Sequence, residues 1–164
     1  NLADVTEVAQ AYQDLSERLG HLVTVEPMVD AGIEMAFGMI NDPQFGPMVM
    51  VGSGGVYIEV LKDRCFSLAA FDQAEARRML DSLKIRPLLS GVRGRPACDL
   101  DKLSWTLARF SQLVASLSDV LAEVDINPLI VDAKGCIAVD ALVIGNPLPV
   151  QNTEQPAARI ELAS

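Results

Sequence analysis

The sequence predicts an α+β domain on a mostly antiparallel sheet, and three observations predict it. The candidate elements run helix, several strands, two helices, two strands. Hairpin-type connections dominate between the strands. The most regular helix carries one unbroken apolar stripe, the mark of core packing under a sheet.

Asp4 to Leu19 reads as the first helix. Asp4 and Glu7 form a capping-box-like start, Val5, Val8, Tyr12 and Leu15 follow one side, and Gly20 suits the C-terminal stop. "LVTVEPMV", Leu22 to Val29, reads as a strand, and Gly32 turns the chain into a second one, "IEMAFGMI". "NDPQFGP" is a turn, followed by "MVMVGSGG" and "VYIEVL" as strand, glycine loop and strand. Asp72 with Glu75 caps a helix to about Leu83, and "LLSGVRGRPACD" is a loop punctuated by Gly and Pro. Leu100, Leu103, Leu107, Phe110, Val114, Leu117 and Leu121 then alternate in steps of three and four along a long helix. Trp105 lies off that stripe, either on a second packing face or on surface left bare by a neighbour. The hairpin "DINPLIVDAKGCIAVDA", residues 125 to 141, closes the series. From Gly145 the tail loses periodicity and gains Pro and polar residues, as a linker does.

The bulk numbers bound the function. A chain of 164 residues is about one domain's worth, and half of it is apolar. A net charge of −9 argues against a nucleic-acid or anionic-membrane footprint, which needs clustered Lys and Arg. Cys65, Cys98 and Cys136 are far apart and odd in number, with neither metal-type spacing nor a disulfide framework, which fits a reducing cytoplasm. There is no apolar run of membrane-spanning length. Asn1 opens almost directly into a helix without an initiator Met, which suggests a piece of a longer protein.

The final hairpin poses the chemical question, because strand interiors disfavour Asp125, Asn127, Pro128 and Asp140. Counting back from the "DAKG" turn sets Asn127 near Asp140 across the ladder. An amide carbonyl and a carboxylate suit a hard cation such as Mg²⁺, whose shell nucleotide phosphates and water complete. A bulged hairpin with two solvated polar groups explains the same residues. Glu26, before Pro27, and Glu34, after Gly32, suit a nucleotide hinge with a ribose carboxylate, or an edge strand with outward charges. "GSGG" either approaches an anion or simply turns, and no Lys-Ser/Thr or helix follows to make it a P-loop. Arg93 and Arg95 in "GVRGR" suit phosphate or carboxylate, or an exposed basic loop. His21, the single histidine, reads as structural.

Taken together, "VEPMVDAGIEMAFGMINDPQFGPMVMVGSGG", "LLSGVRGRPACDLDKLSWTLARFSQL" and "EVDINPLIVDAKGCIAVDALV" resemble the ATP-grasp region of NDP-forming acyl-CoA synthetases. This is the family of ADP-forming acetate–CoA ligases and the succinyl-CoA synthetase β subunit, with a related region in some protein lysine acetyltransferases. The resemblance implies the C-terminal ATP-grasp subdomain. Residues 1–29 would close a first subdomain, 30–144 form the second, and 145–164 make a tail. It implies Asn127 and Asp140 as Mg²⁺ ligands, with Glu26, Met28 and Val29 at the adenine hinge and Glu34 at the ribose. Asp125 would face the phosphohistidine; it is aspartate where succinyl-CoA synthetases carry glutamate. The implied reaction joins an acid to CoA with ATP, giving acyl-CoA, ADP and phosphate through phosphohistidine, with ATP/ADP and Mg²⁺ bound here. The implied partners are an N-terminal ATP-grasp subdomain and CoA-binding domains that this sequence lacks, and His21 does not match the phosphorylated histidine. The fragment alone is then expected to be inactive. Two other readings remain: a ligand-sensing regulatory module of an acetyltransferase, and a carboxylate–amine ligase, which the "DINPL" and "GVRG" combination does not suit.

Overall fold

The structure, a computed structural model, describes residues 1–55, 62–92 and 94–146. The strand expected over 56–61, Arg93 and the tail from 147 lie outside the described residues. The chain runs α1 (Val5–Leu19), β1 (Ile33–Asp42), β2 (Gly46–Ser53), β3 (Arg64–Leu68), α2 (Gln73–Ser82), α3 (Arg86–Leu89), α4 (Leu100–Ser116), β4 (Leu121–Asp132), β5 (Gly135–Ala138) and β6 (Ala141–Gly145). Every ladder is antiparallel, in the order β3-β2-β1-β4, with β5 and β6 sharing the outer edge of β4. The class is α+β, as the sequence predicts.

The caps form where the sequence sets them. Asp4 accepts the N–H groups of Thr6 and Glu7 at 2.8 and 2.9 Å, and Asp72 that of Glu75 at 2.9 Å. Asp99 caps α4 through Lys102 N at 2.8 Å. The β1–β2 turn closes on Asp42, which accepts from Gln44 and Phe45.

One side of the sheet packs on α2 and α4. Met35, Phe37 and Met39 of β1 and Val49 and Val51 of β2 meet Met79, Leu80, Leu103, Leu107 and Val114 in one buried cluster. Phe37 and Phe110 are tilted rings 5.8 Å apart. Each large side chain buried this way is worth about 1.5–3 kcal/mol. No helix covers the other side among the described residues, and Ile40, Phe66, Leu68, Ile137, Leu142 and Ile144 are exposed there.

Four expectations change. Leu22 to Val29 forms no ladder. It lines a groove beside α1, with Leu22, Val25 and Met28 exposed, and pairs with no strand of the described chain. The apolar stripe outlasts its helix: α4 ends at Ser116, Leu117 caps it, and Leu121 opens β4. Asn41 enforces that break, its side-chain N–H groups donating to the carbonyls of Ser118 and Leu121. Gly52 and Ser53 of "GSGG" are strand residues, and only Gly54 and Gly55 leave the ladder. Gly145 ends β6 and so belongs to the sheet, not to the tail. β3, α3 and the split of β5 from β6 were not legible in the sequence.

Candidate functional site

The exceptional residues of the hairpin mark a defect shared by two ladders. Between β1 and β4 the register steps from Met35↔Leu129 to Phe37↔Ile126. Asn127 and Pro128 therefore stand opposite the single residue Ala36, a bulge at a residue with no N–H to give. On the other edge β5 stops at Ala138 and β6 starts at Ala141. The register nevertheless carries through, from Leu129↔Ala138 to Ile126↔Ala141. That continuity sets Asn127 against Asp140 and Pro128 against Val139. The bonds agree: Asn127 N donates to Asp140 O at 3.2 Å, and Val139 N to Pro128 O at 3.0 Å.

Antiparallel partners present side chains on the same face. Val124 and Ile126 turn toward the core, so Asp125 and Asn127 take the helix-free face. Asp140 faces with Asn127; its Oδ1 accepts the N–H of Ala141 at 2.8 Å, leaving the second oxygen outside that bond. Two oxygen-bearing side chains are thus brought together where the backbone is irregular on both sides. Among the described residues no three His, Cys, Asp or Glu side chains gather as a self-sufficient metal cage. The donor set is hard and short of ligands, which fits a Mg²⁺ shared with phosphates and water.

Glu34 sits on the same face, its neighbours Ile33 and Met35 packing toward the core and its partner in β4 being Ile130. Its carbonyl accepts the N–H of Gly54 at 2.8 Å, and its carboxylate lies over Gly55, 1.7 Å from where a Cβ would stand. Gly54 must also be glycine, because a Cβ would meet the Met35 carbonyl oxygen at 2.7 Å. The glycine pair and Glu34 thus form one feature, although about twenty residues separate them in the sequence.

Val29 lines a cavity with Asp30, Ile130, Lys134, Gly135 and Ile137, where the segment after α1 crosses the hairpin tip. Ile130 and Ile137 are ladder partners. Lys134 Nζ reaches Asp30 at 3.4 Å across the same crossing. Glu26 and Met28 are elsewhere: they line a groove against Tyr12 and Leu15 of α1, so the structure does not join them to the Asn127–Asp140 pair. His21 is exposed.

Along β4 the order is then Val29 with Ile130 and Ile137, Glu34 beside them, the Asn127–Asp140 pair, and Asp125 paired with Gly38 and Leu142. At about 3.3 Å per residue, Ile130 and Asp125 lie about 16 Å apart. The Ile130–Ile137 platform was missed in the sequence. Counting the ladder from the Asp132–Gly135 turn would have found it.

A family model described as an ATP-grasp domain matches residues 1–144. The chain is 36% identical over 143 residues to the Pyrococcus furiosus protein "acetate–CoA ligase [ADP-forming] II subunit beta", covering 86% of this chain and 60% of that protein. It is 44% identical over 124 residues to acetate–CoA ligase [ADP-forming] I of Archaeoglobus fulgidus, covering 75% of this chain and 18% of that protein. Among solved structures it is similar to dinucleotide-forming acetyl-coenzyme A synthetase 1 of Ca. Korarchaeum cryptofilum. That protein is in complex with coenzyme A and Mg-AMPPCP, its phosphohistidine segment pointing towards the nucleotide binding site. The TM-score is 0.82 at 34% identity, covering 89% of this chain and 66% of that one. The chain thus spans between about a fifth and two thirds of the length of these relatives.

Proposed function

The chain belongs to the ATP-grasp domain family, and from that premise we propose that it is the nucleotide- and magnesium-holding part of an NDP-forming acyl-CoA synthetase. The reaction of the whole protein is acid + CoA + ATP = acyl-CoA + ADP + phosphate, through a phosphorylated histidine on another part of the molecule. The observation that carries this reading is the continuous β5–β6 register that sets Asp140 against Asn127 at the β4 bulge. The names of the similar proteins, which are CoA ligases and synthetases, support it further. They do not favour the regulatory acetyltransferase module.

Each residue has a task on the helix-free face. Val29, Ile130 and Ile137 offer an apolar slot for the base, with hinge backbone beside it for the base edge. Glu34 accepts ribose hydroxyls, held over the Gly54–Gly55 turn. Asn127 and Asp140 hold Mg²⁺, which when bound neutralises phosphate charge during transfer. Asp125, on the same strand two residues before Asn127, orients the incoming imidazole. Glu26 and Met28 complete the hinge in this reading when a first subdomain closes over the α1 groove, where both now lie. Residues 1–29 are the end of that first subdomain and 30–144 the second. The CoA-binding domains and the histidine come from elsewhere in the same protein.

The test is direct. The full-length protein, given an organic acid, CoA and Mg-ATP, forms acyl-CoA with release of ADP and phosphate and carries an acid-labile phosphoryl group on histidine. Formation of AMP and pyrophosphate, or of an amide instead of a thioester, overturns the reading.

A further inference from the structure

We propose that Arg64 is the cationic wall of this site and takes phosphoryl oxygens at its Asp125 end; the proposal rests on the nucleotide reading above. β3 is the outer strand of the sheet, and its register runs Phe66↔Met50, Met50↔Gly38, Gly38↔Asp125 and Asp125↔Leu142. Arg64 and Phe66, two apart on β3, therefore share the face of Asp125, Asn127 and Asp140. The guanidinium carbon of Arg64 lies 5.7 Å from the centre of the Phe66 ring. Both side chains wall a depression floored by Gly38 and Met50, with Glu123 and Asp125 on the opposite wall.

Two features make this more than a surface arginine. Arg18, Arg77, Arg78 and Arg86 each hold a carboxylate; Arg64, like Arg95 and Arg109, has no ion pair among the described residues, and of these three it is the one that lines this depression. Among the described residues its donors are thus uncommitted, and its guanidinium sits by the Phe66 ring. And Glu34, Glu123, Asp125 and Asp140 all line this face, so a phosphoryl group arriving at Asp125 meets like charge unless a cation offsets it. Three strand spacings, about 14 Å, separate β3 from β4. That is too wide for Arg64 to pair with Asp125 directly and leaves room for a tetrahedral anion between them. In the transfer, the bond from the bridging oxygen to the terminal phosphorus breaks, its electron pair leaving with ADP, as a histidine ring nitrogen bonds that phosphorus. Arg64 holds the non-bridging oxygens in a bidentate grip.

The test uses the full-length protein and its Arg64→Ala, Arg64→Gln and Arg64→Lys variants. Three quantities are compared: the Kd of Mg-ADP, the Kd of Mg-AMPPCP, and the rate of histidine phosphorylation by Mg-ATP. The expected result is Mg-ADP binding within about twofold of wild type, with phosphorylation at least roughly tenfold slower in the Ala and Gln variants and partly restored in Lys. If Mg-AMPPCP binding weakens as well, the group held is the terminal phosphate of the nucleotide. If it does not, the group is the phosphohistidine. Phosphorylation at the wild-type rate in Arg64→Ala overturns the proposal, as does a loss of Mg-ADP affinity equal to that of Asp140→Ala. Failure of the wild-type protein itself to bind Mg-ADP instead removes the nucleotide reading on which the proposal stands.

Discussion

Pro128 cannot donate a ladder bond, so the strand that carries it must pair imperfectly, and the imperfection falls beside Asn127 and Asp140. Both side chains are free of the core, so replacing Asp140 with Ala should leave the melting temperature almost unchanged, as calorimetry can check. Asp63 behaves oppositely. Its buried carboxylate accepts the N–H groups of Lys84 and Ile85, each at 2.7 Å, and so ties β3 to the start of α3. Asp63→Ala removes the acceptor of two backbone N–H groups, the one at Ile85 buried, and should cost about 1–3 kcal/mol in a denaturant titration. At Cys98 burial first, and then the charge of Asp132, push the thiol pKa up. The thiolate fraction at neutral pH is therefore depressed and grows only above the ordinary thiol range. Alkylation followed by mass spectrometry at pH 7.5 should label Cys65 and Cys136 well before Cys98, with the gap narrowing as pH rises.

The helices show why some elements can be read from sequence and others not. α4 was legible because Leu103, Leu107, Phe110 and Val114 repeat at helical spacing, and all four are buried. Leu107→Ala should destabilise the domain by about 2–5 kcal/mol, measured by urea unfolding. Its end was not legible, because Leu117 and Leu121 keep the period and the stop comes from Asn41, some eighty residues away in the chain. β3 was missed for a related reason: "RCFSL" alternates too briefly to stand out, and its pairing with β2 is a tertiary fact. The Leu22–Val29 run has strand composition without a neighbour, so propensity alone misplaced it. The pairing of Asn127 with Asp140 could be foreseen because a hairpin register follows from its turn. The Arg64 wall could not, since it lies three strands from Asp125.

At the scale of the whole molecule the proposed reading divides the chain into two parts, 1–29 and 30–144. α1 has no buried residue and shares a groove with the segment that follows it. Val5, Leu19, Leu22 and Val25 stay exposed there, as they would if another subdomain covers them. Among the described residues no helix is long and apolar enough to cross a membrane. Residues 1–164 expressed alone should therefore turn over no acid, CoA and ATP, while the full-length protein does; turnover by the short chain in a coupled ADP assay would contradict this division of labour. The central claim is that Asn127 and Asp140 hold the metal of a bound nucleotide, and calorimetric titration of Mg-ADP into the full-length protein and its Asp140→Ala variant tests it most directly. The account predicts a loss of affinity of roughly tenfold or more with the fold intact; equal affinity in the two proteins would contradict it.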